Sequence, residues 1–587
     1  MKPLRLGSIS LALATAILTG CGSGHSTVSS GGGGGGTPPP TGTTISGTAL
    51  NGTIPLQGAS VQLYAVGTTG PRSASSGLLS TPVVTSSTGA FSLTFTCGTA
   101  TEVYLSASGG NSGAGANSAS NLLSAIGPCS SISASSTFAI NEATTVASVY
   151  ALAPFLADSA HMGASGSNPI GLTNAFATVS SLVNPTSGAV PGPSLATGVT
   201  VSTTTLDTLA NILAGCIHSG SSSSSACTTL FTATSSSDTL GATLHIARQP
   251  GWYLSLYSLA SAYAPFTPAL SAAPADWTLS LRVAAIGLTA PYGVAIDASG
   301  NAWITNEGST AISKLSPSGS LLSTVSGVGL LGARSLSIDR TGNIWVASTG
   351  NDSVVELTSA GSVKTTLSTG VAAPLSIAND SAGNAWIASS ANNAVVEVSA
   401  TGAVMNTVTG MSAPSSVAID ASGNVWVANP GANNILELSQ AGAVTATTGD
   451  GVTQAPAFIA IDSSANAWFT GSVPSTTVVQ GAVAEIASSG PAAPVLTATT
   501  LPLGIATTGS SVWIANAVST GGLLEFQEGG SAPVSAPSGF GSLNTPVGVA
   551  VDASGNVWTT NSGENTVSIF LGIATPAITP ISQNAGP

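Results

Sequence analysis

From about residue 276 onward, apolar and polar residues alternate in short runs, each broken by a turn signal. Alternation of this kind predicts half-buried β-strands. The phrase "DASGNVWVAN" at Asp420–Asn429 returns as "DASGNAWITN" at Asp297, "DRTGNIWVAS" at Asp339 and "DASGNVWTTN" at Asp552. Aligned on Trp303, Trp345, Trp386, Trp426, Trp468, Trp513 and Trp558, the copies are 42, 41, 40, 42, 45 and 45 residues apart. Self-similarity at that period predicts a propeller or a solenoid. Each copy runs proline, two variable residues, an apolar strand, Asp, a Gly-Asn turn, Trp in a second strand, then a third strand such as "SVVEL" at Ser353–Leu357. Gly319, Gly361, Gly402 and Gly442 turn the chain into a fourth. A four-stranded blade follows from short strands with regular turns. The expected fold class is mainly β, a seven-bladed propeller preceded by a small β-sandwich and a helical domain. "DWTLSLRVAAI" (Asp276–Ile286) precedes the first copy, and the last copy stops after a third strand, "TVSIFLG" (Thr566–Gly572). The early strand is therefore expected to complete the last blade and leave no long sheet edge.

The pattern before residue 276 is different. Alternation along Ala59–Tyr64 and Phe91–Phe95 predicts strands, within "ISGTALNGTIPLQGASVQLYAVG" (Ile45–Gly67) and "GAFSLTFTC" (Gly89–Cys97). Between Asn141 and Tyr263 the apolar residues fall at helical spacing in five segments, with Asn141, Thr204 and Asp238 placed as N-caps. At the start, Lys2 and Arg5 precede an apolar run, Leu6–Leu18, too short to span a bilayer, and "LTGC" at Leu18–Cys21 follows. "SGGGGGGTPPPTGTT" behind it has nothing to build a core from and predicts a tether. The expected order is a signal peptide (1–20), tether (21–44), β-sandwich (45–110), helical domain (111–275), propeller (276–575) and disordered tail (576–587).

Three resemblances sharpen this outline. "LTGC" resembles the lipobox of bacterial lipoproteins, which implies lipid on Cys21 and a membrane anchor in the cell envelope, with the outer membrane expected from Gly22. The stretch around Ile45–Ser108 resembles the carboxypeptidase-regulatory-like sandwich, a module that usually serves as a stalk or spacer. The "P-x-x-(V/I)-A-(V/I)-D-x-x-G-N-x-W" phrase resembles the NHL repeat. The repeats are also similar to the streptogramin B lyase group, a seven-bladed propeller whose enzymes work with a histidine and a glutamate near magnesium. Here the histidines are His25, His161, His218 and His245, so none falls among the repeats and none carries over. Gluconolactonase-type propellers are a further catalytic relative, without a matching ligand set in this chain.

Composition narrows the partners. The 587 residues hold 9 Lys+Arg and 22 Asp+Glu, and loss of Lys2 and Arg5 with the leader takes the net charge from −13 to −15. Nucleic acid, which needs clustered cations, is not an expected partner. Of five cysteines, four remain beyond Cys21 in what an exported chain meets as an oxidising space. Four allow three pairings. The sequence-neighbour one, Cys97–Cys129 and Cys216–Cys227, is expected, because the second pair flanks a floppy "IHSGSSSSSA". No zinc spacing occurs, and no metal or cofactor is expected.

The repeated residues read first as builders. An Asp at a turn start accepts a backbone N–H two residues on, and Gly-Asn tolerates positive φ. A ring of cation-binding aspartates is the functional alternative, weakened by Thr507 standing in the Asp slot of the sixth copy. The tryptophans are expected to fill the space between sheets, each worth about 3–5 kcal/mol. The glutamates Glu356, Glu397, Glu437, Glu485 and Glu525, mid-way in a third strand, are expected on blade faces or edges, in contact with solvent. No catalytic residue stands out. Ligands of propellers usually sit over the central channel, where the candidate rim is Tyr292, Arg334, Phe458, Asn306, Asn429, Asn516 and Asn561. Asn379 replaces an apolar strand residue facing the ring, and the loop Gly471–Ala482 is the longest insertion. Three functions remain in view: a monomeric envelope binder of protein or glycan, a metal-assisted lyase or lactonase, and a non-binding spacer.

Overall fold

The computed structural model describes residues 42–285, 287–448, 453–473, 480–487, 493–499 (backbone alone), 501–527 and 539–578. The expected signal peptide, Cys21, the tether up to residue 41 and residues 579–587 of the expected tail lie outside the described residues, as does 474–479 of the long insertion.

The chain is mainly β. Two sheets open it. Thr43–Asn51 pairs antiparallel with Ala90–Phe95 and Ile54–Pro55, and in parallel with Thr137–Ile140. The second sheet is built on Ser60–Ala65, Glu102–Ser108 and Asn121–Pro128. Alternate residues of both sheets (Ile45, Val61, Leu63, Phe91, Leu93, Leu105) share one core. Two of these strands, Asn121–Pro128 and Thr137–Ile140, come after residue 110, so the sheets run past the expected boundary. The reason is local: helix α1 (Glu142–Leu152) supplies bonds that a sequence pattern does not display. Leu123 and Ala125 donate their N–H groups to Thr145 Oγ1 and Ser148 Oγ, both at 2.9 Å, so small polar helix residues cover the sheet edge. Accordingly all of α1 is buried, which its lack of a polar face anticipates.

Helices α2 (Pro169–Leu182), α3 (Thr203–His218), α4 (Ser225–Thr234) and α5 (Thr239–Arg248) complete the middle of the chain. Asn141 caps α1 through Thr144 N–H and Asp238 caps α5 through Gly241 N–H. On α3 the cap is Ser202 rather than Thr204, without a side-chain bond. The fifth expected helix is a 3-10 turn, Leu254–Leu259. Disulfides join Cys97 to Cys129 and Cys216 to Cys227. The first ties the two opening sheets together and the second ties α3 to α4.

Among the described residues beyond 280, seven antiparallel sheets follow one another in order. Their first strands are Pro291–Ile296, Ala333–Ile338, Pro374–Asn379, Ser416–Ile419, Ile459–Ile461, Pro502–Thr508 and Pro546–Val551. The seventh sheet takes its outer strand from the front of the array: Ser280–Val283 pairs with Thr566–Phe570. Outside that lies Val199–Val201, so the helical region adds one strand to the same sheet. Asn168 Nδ2 donates to Ala553 O at 2.8 Å, Ser554 Oγ to Gly171 O at 2.8 Å and Tyr150 Oη to Trp277 O at 2.8 Å. These bonds fix the helices against the seventh sheet.

Indole rings join sheet to sheet. Trp303 packs into the apolar cluster of the second sheet, Trp345 into the third, Trp386 into the fourth, Trp426 into the fifth, Trp468 into the sixth and Trp513 into the seventh. Trp558 packs on Ala302, Ile304 and Leu315 of the first, which completes the circuit. A second, polar device repeats beside it. Asp352, Asn393, Asn433 and Asn565, all at left-handed φ, each turn Oδ1 to the N–H of Ala373, Ala413, Ala455 or Ala290 in the next copy. Asp and Asn tolerate that backbone better than other non-glycine residues, which explains their recurrence there.

Each turn aspartate does more than start a turn. Asp552 Oδ1 accepts Ser554 N–H and Asn556 N–H, while Oδ2 accepts Asn556 Nδ2 and the Trp558 indole N–H at 2.9 Å. The same indole-to-carboxylate bond recurs at Asp297, Asp339, Asp380, Asp420 and Asp462, from 2.9 to 3.4 Å. The phrase D-x-x-G-N-x-W is therefore one hydrogen-bonded unit.

Candidate functional site

Proline begins most of the first strands, and the two residues after it open onto the central channel. The strand pairing slips there, between Pro291 and Val294, Ala333 and Ser335, Pro374 and Ser376, Pro502 and Ile505, and Pro546 and Val549. Bulges of this kind re-aim side chains. They bring Tyr292, Arg334 and Leu375 together, with Phe458, around a mouth of about 120 Å³. Arg334 lies over the Tyr292 ring, its Cζ 5.3 Å from the centroid, within cation–π range. Glu307 holds the guanidinium from the side, accepting from Nε at 2.8 Å and Nη2 at 2.6 Å. Burial pushes the Tyr292 phenol up, with Arg334 pulling against it. Glu307 did not emerge from sequence reasoning. The available signal was the pairing of two exceptions: a carboxylate just past the second strand of the first copy, and an arginine beside the missing proline of the next.

Below the mouth the channel widens to about 330 Å³, lined by the first strands of all seven sheets. Its wall is Val, Ile, Leu and Ala apart from Ser337, Asn379 and Thr507. Thr507 Oγ1 donates to Ile461 O at 2.7 Å. Asn379 Oδ1 is buried with no hydrogen-bond partner.

The four asparagines of the expected rim lie elsewhere, buried at the ends of second strands. Asn306 Oδ1 accepts Thr289 N–H, Asn429 Oδ1 accepts Ser412 N–H and Asn516 Oδ1 accepts Leu501 N–H. Ser348 and Ser389 take the same role toward Leu331 and Ala372. Asn561 donates to Thr566 Oγ1 and Ser568 Oγ. Asn306, Asn429, Asn516 and the two serines thereby pin the strand-entry loop to its own sheet. The recurring glutamates each stand opposite the tryptophan across the strand pair. They depart from expectation in hydration, with Glu356 and Glu397 buried and Glu437, Glu485 and Glu525 half-buried. Glu356 is fully buried and bonded to Lys364 at 2.5 Å, and burial pushes Glu525 up to about 7. In the first sheet Lys314 occupies that position, 3.1 Å from Asp297 and over the Trp303 ring.

Among the described residues no group of three or more His, Cys, Asp or Glu is placed to hold a metal ion. Among the described residues the magnesium implied by the lyase resemblance meets no fitting donor set, and a turn carboxylate such as Asp552 is engaged by its own Trp, Asn and backbone N–H groups.

The virginiamycin B lyase family model matches residues 281–490. None of the curated proteins matches the chain. Among solved structures, a streptogramin B lyase is similar at 17% identity and TM-score 0.42, over 49% of this chain and 94% of that one. A virginiamycin B lyase from Staphylococcus aureus matches at 16% and 0.43, over 50% and 98%. Kuenenia stuttgartiensis hydrazine synthase matches at 14% and 0.43, over 49% and 96%.

Proposed function

We propose that this chain is a lipid-anchored binding protein of the bacterial cell envelope, held through Cys21 at the outer membrane. In this reading the seven sheets are NHL-type blades, and the opening sheets are a carboxypeptidase-regulatory-like sandwich that serves with the helices as a stalk. The ligand, a segment of protein or glycan, meets the channel mouth as a monomer presents it. The observation that carries the reading is the convergence of Tyr292, Phe458 and the Glu307-braced Arg334 at one opening. Aromatic faces and a planar guanidinium are what extended peptides and sugar rings are recognised by. Binding of cell-wall glycan fragments or envelope peptides should weaken at least tenfold in Tyr292→Ala and Arg334→Ala. Equal affinity in both variants sinks the site. Palmitate incorporation that persists in Cys21→Ser sinks the anchor.

A second reading is favoured by the family match over residues 281–490: a metal-assisted lyase or lactonase. It lacks a histidine general base anywhere in 276–575. Magnesium-dependent opening of a streptogramin or lactone by the purified chain would establish it over the binding reading. Failure of every ligand and substrate would leave the spacer.

A further inference from the structure

The mature chain has seven Lys and Arg residues left for 22 acids, so where its cations gather is informative. Two of them, Arg72 and Arg248, line one cleft of about 530 Å³ where the opening sheets, the helices and the sixth sheet meet. The cleft is separate from the channel and its mouth. Arg72 comes from the loop after Ser60–Ala65, and Arg248 ends α5. Both reach the carboxyl end of α1. Arg248 Nη2 donates to Ala153 O at 3.0 Å and Leu156 O at 2.5 Å, and Arg72 Nε donates to Pro154 O at 3.2 Å.

Those carbonyls orient the two guanidiniums without neutralising them. Among the described residues no carboxylate forms an ion pair with either one. Burial and the neighbouring Arg72 charge both pull Arg248 down, to about 10, which is still above neutral pH. Arg248 Nε is buried with no hydrogen-bond partner. A guanidinium carries five donors, and three are accounted for between the two residues. The opposite wall supplies Ser510, Ser511 and Thr575. Its carboxylate, Glu525, accepts from Ser511 Oγ and Gln527 Nε2 at 2.9 Å.

We propose that this cleft is a binding site for a phosphate group, with Arg72 and Arg248 as its paired cationic wall. Phosphate presents several oxygens in the fork geometry that guanidinium matches, and its charge cancels the repulsion between the two arginines. The group can arrive free, as a soluble phosphate ester, or on an anionic lipid headgroup.

The test uses the full mature chain. Inorganic phosphate is titrated by calorimetry at constant ionic strength against sodium chloride. Saturable one-to-one binding is expected, at least tenfold weaker in Arg72→Gln, whose side chain is on the surface. Arg248→Lys, which keeps the charge but loses the fork, is expected to weaken binding as well and serves as a second variant. Vesicles of phosphatidylglycerol against phosphatidylcholine then separate the sources. Sedimentation with phosphatidylglycerol alone, lost in Arg72→Gln, assigns the headgroup, and phosphate binding without sedimentation assigns a soluble ester. Heats that chloride reproduces, or that both variants retain unchanged, overturn the proposal. Loss of mouth ligands in Tyr292→Ala leaves this titration unaffected.

Discussion

Asp552 and Asp380 make the same four hydrogen bonds, and replacing each with alanine should have unequal consequences. At Asp380 the donors are Ala382 N–H, Asn384 N–H, Asn384 Nδ2 and the Trp386 indole. At Asp552 they are Ser554 N–H, Asn556 N–H, Asn556 Nδ2 and the Trp558 indole. The difference lies in what covers them. Ser381 and Ala382 are exposed, so water replaces the lost acceptor at most of the Asp380 turn. The Asp552 turn is sealed under the start of α2, where Asn168 and Gly171 bond it, and Asp552, Ala553, Ser554 and Asn556 are at most 2% exposed.

An orphaned buried donor costs about 1–3 kcal/mol, so four of them give roughly 4 kcal/mol or more at Asp552. Against this, burial holds the Asp552 carboxyl above its ordinary range, so the wild type already bears some cost of a buried charge that alanine removes. The net expectation is about 3–5 kcal/mol for Asp552→Ala against about 1–2 kcal/mol for Asp380→Ala. Urea titration followed by tryptophan emission measures both, provided the slope m is unchanged. Losses equal within about 0.5 kcal/mol would falsify the claim that burial by the helices, rather than the turn itself, sets the difference.

Glu142 is fully buried, accepts Gly52 N–H at 2.9 Å and is pushed up to about 8 by desolvation. Because its folded value lies above the ordinary 4.5, it imposes no penalty below that pH, and the penalty grows as pH rises toward 8. The melting temperature should fall across that window, and Glu142→Gln should flatten the fall; a parallel profile in the variant refutes the assignment. Replacing Cys97 and Cys129 with serine opens a loop of 32 residues and should cost about 4 kcal/mol, against about 3 for the 11-residue Cys216–Cys227 loop, read as denaturation midpoints. Asn379→Leu removes an unpartnered oxygen from an apolar wall and should stabilise by about 1 kcal/mol; a net loss on the same titration would place a bound partner at that oxygen. Trp513→Phe should be milder than Trp558→Phe, since Trp513 Nε1 already lacks an acceptor whereas Trp558 has Asp552, and melting scans of the pair decide it.

What the sequence disclosed and what it hid follow the range of the interactions. The tryptophan spacing, the alternating strands and the early strand that pairs with Thr566–Phe570 are written in local pattern, because period and composition report which side of a strand is dry. So is the pairing of cysteines that are neighbours in sequence. The mouth was half visible. Tyr292 and Phe458 stand in the variable slots after the proline and Arg334 in the same slot after Ala333, but the four asparagines look equally polar on paper and are buried. The amide oxygens of Asn306, Asn429 and Asn516 answer backbone N–H groups about 15–17 residues earlier, a pairing that no short window contains. Glutamate opposite tryptophan was misread for a related reason. Strand position predicts which way a residue points, not whether a lysine such as Lys364 on the next strand will cover it.

The sixth copy separates two roles that the other copies combine. The repeat spacing puts Thr507 in the aspartate slot, but Ala506 pairs with Trp513 as Ala295 pairs with Trp303. In a turn one residue shorter, Thr507 therefore takes the channel-wall place of Ile296, and Thr508 stands where the aspartate should, its hydroxyl turned away to Thr575 O. The Trp513 indole loses its acceptor, yet the ring is as completely buried as Trp468 or Trp558 and packs in the same place against the following sheet. Wedging of the sheets therefore depends on the apolar face of the indole, and the carboxylate serves the turn. This ordering agrees with magnitudes, since full burial of a ring of that size outweighs one net hydrogen bond severalfold. It also explains why a repeated acidic residue need not mark a cation site. A carboxylate already receiving four donors has little left to offer a metal, and a position whose loss the architecture absorbs in one copy was never part of a symmetric coordination shell.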